Sequence, residues 1–363
     1  VDDVGVPAVI GFASSQEVID LATSIFIPKR VLMLASMNSS ALITAIPHPV
    51  GVPRLVWRTT LSTADVATPV SVIVSDFLEP RVRGARSTAA DAPIRVGLLR
   101  RGNTVGQSLA GSLLERVRFN GKSVLENGEN FHEFVVRDGD GRAEVPETAR
   151  AMQAFRPDIV LCDPDEVTER VLGILETMRP ANDPKLYTLF PEGLEFGKEL
   201  TKVLTTKERR GRFLGLSTPS TTAANAQLTM RFNEIFSEKV TLDSCPADTY
   251  DGMYLLAYAA YVAGEKLTGP DLARAMGRLV PPGKGIDVGP LHIFEAVEAL
   301  RKGENIDLNG AMTPLNFDLS NGETSSNYVI SCCSTKGATF ASIESGMSYD
   351  TTTKKLTGTL QCP

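Results

Sequence analysis

Two neighbouring serines, Ser14 and Ser15, offer the clearest chemistry in the chain. They stand between an apolar run, Val6–Ile10, and a stretch whose apolar positions Val18, Ile19, Ala22, Ile25 and Phe26 recur at helical spacing. The run before them does not alternate, which predicts a strand covered on both faces and ended by Gly11. Either serine is placed to cap the helix. Unpaired backbone N–H groups and the partial positive charge of a helix start, set beside two hydroxyls, suit a carboxylate or a phosphate. The competing reading is an ordinary N-cap with no ligand.

Nucleophilic, metal and phosphate-loop chemistry find less support. His48, His132 and His292 are isolated, so no Ser-His-acid set can be assembled by type and spacing. Ser108, in Gly106-Gln-Ser-Leu-Ala-Gly111, has one residue too many for a nucleophile elbow. The turn Arg100–Gly106 contains neither GxGxxG nor Gly-Lys-Ser/Thr. Cys162, Cys245, Cys332, Cys333 and Cys362 form no CxxC pair and no zinc spacing. No cofactor or metal is expected. Cys162 ends an apolar run and reads as a buried thiol. The other four lie in polar or C-terminal sequence and lean toward disulfides and an oxidising compartment, with at most one of the adjacent Cys332 and Cys333 pairing with Cys362.

The elements that must position these groups are bounded by size. A chain of 363 residues predicts two domains. A net charge of −6 disfavours nucleic acid as a partner, and the one dense basic cluster, Lys207–Arg212, reads as a solvated turn. No apolar run reaches membrane-spanning length and no signal peptide is present, although a mature or truncated start would look the same.

Along the chain, buried strands end repeatedly in short polar loops. Arg30–Ala35 is followed by Ser36-Met-Asn-Ser-Ser40, Ile94–Leu99 by Arg100–Gly106, Pro157–Cys162 by Asp163-Pro-Asp-Glu166, and Leu186–Phe190 by Pro191-Glu-Gly193. Helical patterns separate them, over Asp65–Phe77, Gln107–Phe119, Glu144–Phe155 and Val167–Met178, then Ala223–Phe236 and Ala247–Gly264. Leu78–Pro93 reads as a loop, and the sequence from Asn309 as a small antiparallel β tail, with strands at Thr313–Asp318 and Tyr328–Cys332. Such repeats imply an open α/β sheet that binds ligands at the carboxyl ends of its strands. Bland alternatives stand beside the sharp ones: Glu192 as a solvated turn residue, Asp163 and Asp165 as helix-start chemistry, Tyr250 and Asp251 as structural, and Trp57 as packed at a hinge or lining a cleft.

Taken in order, these motifs resemble the periplasmic solute-binding proteins of ABC transporters for branched-chain amino acids, the type I extracellular ligand-binding receptors. The matching stretches are Ala8–Ser15, Val31–Ser36, Trp57-Arg-Thr-Thr60, Arg95–Leu99 with Asn103–Gly106, Pro191-Glu-Gly193, Thr249–Ala257 and Pro314–Asp318. Each is weak alone, and their order over nearly the whole chain carries the resemblance. It implies a type I periplasmic-binding-protein fold: two doubly wound parallel-sheet lobes with three hinge crossings, near residues 59, 217 and 309. The N-terminal lobe would comprise 1–58 and 218–308, and the C-terminal lobe 59–217 and 309–363. It further implies a ligand carboxylate at Ser15, with Ser14 nearby, and at Asn38 and Ser39, and a ligand ammonium at Glu192.

Two positions depart from that pattern. Val105 stands where many amino-acid binders have a tyrosine before the glycine of the second-lobe turn, and Asp163-Pro164 replaces a second aromatic. A pocket with fewer aromatic walls and an added acid argues against assuming leucine, isoleucine or valine. The family also begins with two strand–helix units that here would precede Val1, the first of them pairing with Val6–Ile10, so the chain is expected to be a piece of a longer protein.

The resemblance implies a non-enzymatic, extracytoplasmic protein, periplasmic or extracellular and in some forms lipid-anchored. It would close on an amino acid or related carboxylate and partner the membrane subunits of an ABC transporter. A sensing receptor of the same fold is the alternative, and a serine hydrolase on an α/β fold a weaker one.

Overall fold

Short apolar runs build the first sheet. The computed structural model describes residues 3–86, 92–137, 143–179, 186–194, 196–242, 244, 246–265, 267–336 and 339–363, so Cys245 lies outside the described residues. Contacts divide the chain into two units, 1–62 with 218–326 and 63–217 with 327–363. In unit 1, β1 (Ala8–Ile10), β2 (Leu32–Leu34) and β3 (Val56–Trp57) lie parallel in that order, Ala8 opposite Leu32 and Met33 opposite Val56. α1 (Ser15–Leu21) continues as a π-helical turn to Phe26 and joins β1 to β2.

The chain then enters unit 2 through α2 (Thr63–Val72), which runs on through a π-helical segment into α3 (Glu79–Ala85). The expected loop over Leu78–Pro93 is thus helical as far as Ala85. Its arginines hid the pattern, because they find partners along the helix: Arg83 pairs with Glu79 at 2.8 Å and the Arg81 guanidinium lies 3.7 Å from the Phe77 ring centre, while Val82 is buried.

Next come β4 (Val96–Arg101), α4 (Thr104–Arg116), a small hairpin of β5 (Arg118–Phe119) and β6 (Lys122–Ser123), and β7 (Phe131–Val136). They are followed by α5 (Glu144–Phe155), β8 (Ile159–Cys162), α6 (Glu166–Met178), β9 (Tyr187–Phe190), α7 (Lys198–Val203), α8 (Lys207–Arg210) and β10 (Phe213–Ser217). Unit 1 resumes with α9 (Ala223–Ile235), α10 (Ala247–Ala263), α11 (Gly269–Ala275), β11 (Lys284–Asp287), α12 (Ile293–Arg301) and β12 (Ile306–Asn309), where β11 and β12 pair in parallel. β13 (Tyr328–Lys336), β14 (Thr339–Asp350) and β15 (Lys355–Gly358) complete unit 2.

Unit 2 carries one eight-stranded sheet in the order β15-β14-β13-β10-β9-β8-β4-β7. The part β7-β4-β8-β9-β10 is parallel, and β13, β14 and β15 extend it antiparallel. The expected tail is therefore an extension of the main sheet, and Thr313–Asp318 forms no strand, only a single bridge from Asp318 to Glu323. α5 and α6 pack on this sheet through Val145, Ala149, Met152, Val171, Leu172 and Leu175. Among the described residues no helix is long and apolar enough to cross a membrane.

The third boundary falls at 326/327 rather than 308/309. Two buried groups fasten the intervening stretch to unit 1. The Asp251 carboxylate accepts from Ala311 N at 2.7 Å and Met312 N at 2.8 Å, and Glu323 pairs with Arg58 at 2.6 Å.

Cys332 and Cys362 form a disulfide across the tail, and Cys162 is a buried free thiol. Cys333 is also free and buried, because on β13 it points away from its bonded neighbour into the core with Phe213 and Leu204. Opening the 30-residue loop with Cys362→Ser should lower the unfolding free energy by about 2–4 kcal/mol, read from denaturant unfolding under oxidising conditions.

Candidate functional site

In unit 1 the candidate residues gather at the carboxyl ends of β1 and β2. Ser14 caps α1, its Oγ accepting from Glu17 N at 3.1 Å, and Glu17 reaches back so that its Oε2 accepts from Ala13 N at 2.7 Å. Ser15 is buried, and its Oγ accepts from Ser40 N at 3.5 Å, which ties the β1 corner to the loop after β2. Asn38 is buried in that loop; its Nδ2 donates to Phe12 O at 3.5 Å, and its Oδ1 has no partner among the described residues. Ser39 beside it is half-buried.

What shapes the loop is Arg58, fully buried just past β3. Its Nη1 donates to Asn38 O at 3.1 Å and to Ser40 O at 2.8 Å, its Nη2 donates to Thr44 Oγ1 at 2.9 Å, and its Nε donates to Glu323 Oε2 at 2.8 Å. Gly322 makes the pairing possible, since a Cβ there would lie 2.6 Å from Val56 O. Trp57 is core, its Nε1 donating to Arg54 O at 2.7 Å and its ring edge-on to Phe317. Thr59 Oγ1 donates to Asp248 O at 2.9 Å, and Ser36 Oγ lies 3.3 Å from Thr249 Oγ1, so the first turn of α10 meets the β2 end.

In unit 2 the order β7-β4-β8-β9-β10 is doubly wound, and it reverses direction between β4 and β8, where such sheets open a crevice at their carboxyl ends. Val105 and Asp163 come together there. Val105 is half-buried in the first turn of α4, which Asn103 caps by accepting from Gly106 N at 2.9 Å. Asp163 is buried, and its Oδ2 accepts from Arg101 N at 3.1 Å. Gly106 is required by this packing: a Cβ would lie 2.4 Å from Arg101 O and 2.8 Å from Asp163 Oδ2. Burial raises the Asp163 carboxyl to about 6, against the lowering effect of the Arg101 N–H.

Glu192 follows β9, half-buried, in a turn that fits against β10 because Gly215 has no Cβ to meet Leu194 at 2.6 Å. Its charge and that of Asp65 add to burial in pushing the Tyr328 hydroxyl well above its usual range. Asp165 caps α6, accepting from Val167 N at 2.7 Å, and pairs with Arg101 at 2.5 Å. Of the histidines, His292 meets Glu295 at 3.4 Å, His132 packs with Phe134 and Phe155, and His48 is exposed.

No protein-family model matches the chain, and no curated protein matches it in sequence. Solved structures do match in shape. A leucine-binding protein from Thermotoga maritima shares 15% identity over 94% of this chain and 80% of its own, with a TM-score of 0.61. The solute-binding protein of a Rhodopseudomonas palustris ABC transporter, solved with 3,4-dihydroxybenzoic acid, shares 13% over 100% of this chain and 81% of its own, with a TM-score of 0.60. The chain has the type I periplasmic-binding-protein fold. A fatty acid ABC transporter substrate-binding protein from Thermomonospora curvata has the same fold at 12% identity, with 93% and 73% coverage and a TM-score of 0.59. In this type I fold, Ser14, Ser15, Asn38 and Ser39 stand at the strand ends of unit 1, and Val105, Asp163 and Glu192 at those of unit 2.

Sequence reasoning missed the pairing of Arg58 with Glu323, a long-range contact that leaves no local pattern. Removing the guanidinium with Arg58→Met leaves Glu323 unpaired and should cost about 3–5 kcal/mol in denaturant unfolding, with faster amide exchange over residues 36–46. Asp248 and Asp251 are raised by burial from 3.8 to about 7 each. The folded state therefore holds protons that the unfolded chain releases near pH 4, so stability should fall as pH rises from about 4 to about 7 and level off above. The double variant Asp248→Asn, Asp251→Asn should flatten that slope in pH-dependent unfolding.

Proposed function

We propose that the chain is an extracytoplasmic solute-binding protein that takes a small organic ligand, an amino acid or related carboxylate, and closes its two units on it for ABC-type import. The observation that carries this reading is the fold shared with solute-binding proteins, together with polar residues at the carboxyl ends of the strands in both units. Ser14, Ser15, Asn38 and Ser39 are the proposed contacts from unit 1, and Val105, Asp163 and Glu192 those from unit 2. The departures at Val105 and Asp163 favour a ligand other than leucine, isoleucine or valine. The similar proteins support such breadth, since their own ligands include an aromatic acid and a fatty acid.

Closure would select the conformation that makes contacts from both units. The membrane subunits of a transporter are the proposed partner, and the periplasm or cell exterior the proposed location, with the Cys332–Cys362 disulfide fitting an oxidising compartment. A sensing receptor of the same fold would bind the same ligand and differ only in its partner.

A ligand that binds only the folded state raises the melting temperature. Thermal unfolding against a panel of amino acids, benzoates and fatty acids should yield at least one clear shift, reduced by Ser15→Ala and by Glu192→Gln. Silence across the panel would contradict the reading.

A further inference from the structure

Unit 1 holds a cavity of about 280 Å3 whose walls include none of the candidate residues at the ends of β1 and β2. They come instead from the carboxyl ends of β11 and β12 and from the start of α9. The parallel register sets Asp287 beside Asn309 at the last pair of the ribbon, and Asn309 Nδ2 donates to Asp287 Oδ1 at 3.2 Å. Thr222 fixes the α9 wall: its Oγ1 caps the helix by accepting from Asn225 N at 3.1 Å, and donates to Ala311 O at 3.2 Å in the loop after β12. That loop is held in turn by Asp251 and by Gly310, where a Cβ would lie 2.4 Å from Asp251 Oδ2 and 2.5 Å from Thr313 O. The walls are therefore fixed by contacts within unit 1.

The groups on these walls differ in what they can bind. Asp287 is half-buried, and its carboxylate has the Asn309 amide but no cation as a partner among the described residues. Ala223 and Ala224 are the first two residues of the 13-residue α9 and also line the cavity. Their N–H groups have no acceptor among the described residues, because Thr222 takes those of Asn225 and Ala226 instead. In the facing loop, by contrast, Asp251 already holds the N–H groups of Ala311 and Met312. Ser326 is the third polar group. It lines the same cavity at 8% exposure, and its hydroxyl has no hydrogen-bond partner among the described residues. A covered hydroxyl left in that state is costly unless something completes it. Met312 and Pro314 add apolar lining.

We propose that this cavity is a binding site for a small zwitterion of amino-acid type, separate from the ends of β1 and β2. The ligand carboxylate accepts from the N–H groups of Ala223 and Ala224 and from the Ser326 hydroxyl, where the helix start adds partial positive charge. The ligand ammonium donates to the Asp287 carboxylate. Neither half alone matches the walls: a simple carboxylate brings a second negative charge toward Asp287, and a simple amine leaves the α9 and Ser326 donors unpaired. The volume lies at the small end of ligand pockets, which suits a single amino acid and not a peptide. The site stands apart from the solute-binding reading, since it shares none of the contacts proposed there.

Amide hydrogen exchange in the presence of each proteinogenic amino acid in turn reads the site directly, because the free N–H groups of α9 gain protection only when an acceptor covers them. At least one amino acid should slow exchange at residues 222–225. Its decarboxylated amine and its deaminated acid should each need about tenfold more for the same protection, and Asp287→Asn should raise the half-saturating concentration of the amino acid about tenfold. Ser326→Ala should raise it as well, and reports the loss if Asp287→Asn does not fold. No protection at 222–225 with any amino acid would overturn the site; protection at 11–15 and 36–40 by the same compounds would then leave the solute-binding reading standing without it. Equal protection by the acid or the amine, or protection unchanged in both variants, would overturn it too.

Discussion

The arrangement of unit 1 depends on one buried ion pair. Arg58 follows the short β3 and pairs through two of its nitrogens with Glu323, a residue far along the chain. The same guanidinium fixes two carbonyls of the loop after β2, the loop that carries Asn38 and Ser39. A buried guanidinium is tolerable only with its donors satisfied, so the loop, Thr44 and the 318–323 turn must all take the conformations that satisfy it. That requirement explains why 309–326 stays with unit 1, and why Gly322 approaches Val56 O so closely.

Unit 2 reaches its candidate site by a different route, through topology rather than a single pair. In the order β7-β4-β8-β9-β10 the connections leave β4 and β8 in opposite directions, and their carboxyl ends stay uncovered by either. Gly106 and Gly215 then let main chain pack where a side chain would collide, which sets Asp163 against the start of α4 and the Glu192 turn against β10. The first unit is ordered by electrostatics and the second by close packing.

Much of this was legible in the sequence. Short unbroken apolar runs bounded by turn residues, such as Ile159–Cys162 and Phe213–Leu216, read as doubly covered strands, and the Glu144–Phe155 and Glu166–Met178 helices follow from their periodicity. The polar loops at strand ends, with Ser15, Asn38, Asp163 and Glu192, were visible for the same reason. α3 was hidden because arginines paired along a helix mimic loop composition. The parallel pair β11 and β12 was hidden because Lys284–Asp287 holds one apolar residue and Ile306–Asn309 two, too few to mark a strand. The joining of β13 to β10 and the Arg58–Glu323 pair are long-range choices that no local window contains. Asp165 does serve as the helix start the sequence suggested, whereas Asp163 is buried against Arg101 N.

The central claim is that a small molecule binds at the strand ends of both units. Amide hydrogen exchange of the protein with and without a small-molecule extract of cells, freed of macromolecules, tests it most directly. Protection should appear together at residues 11–15 and 36–40 in unit 1 and at 102–106 and 163–165 in unit 2. Protection absent from these loops, or confined to one unit while the other exchanges as before, would contradict the account.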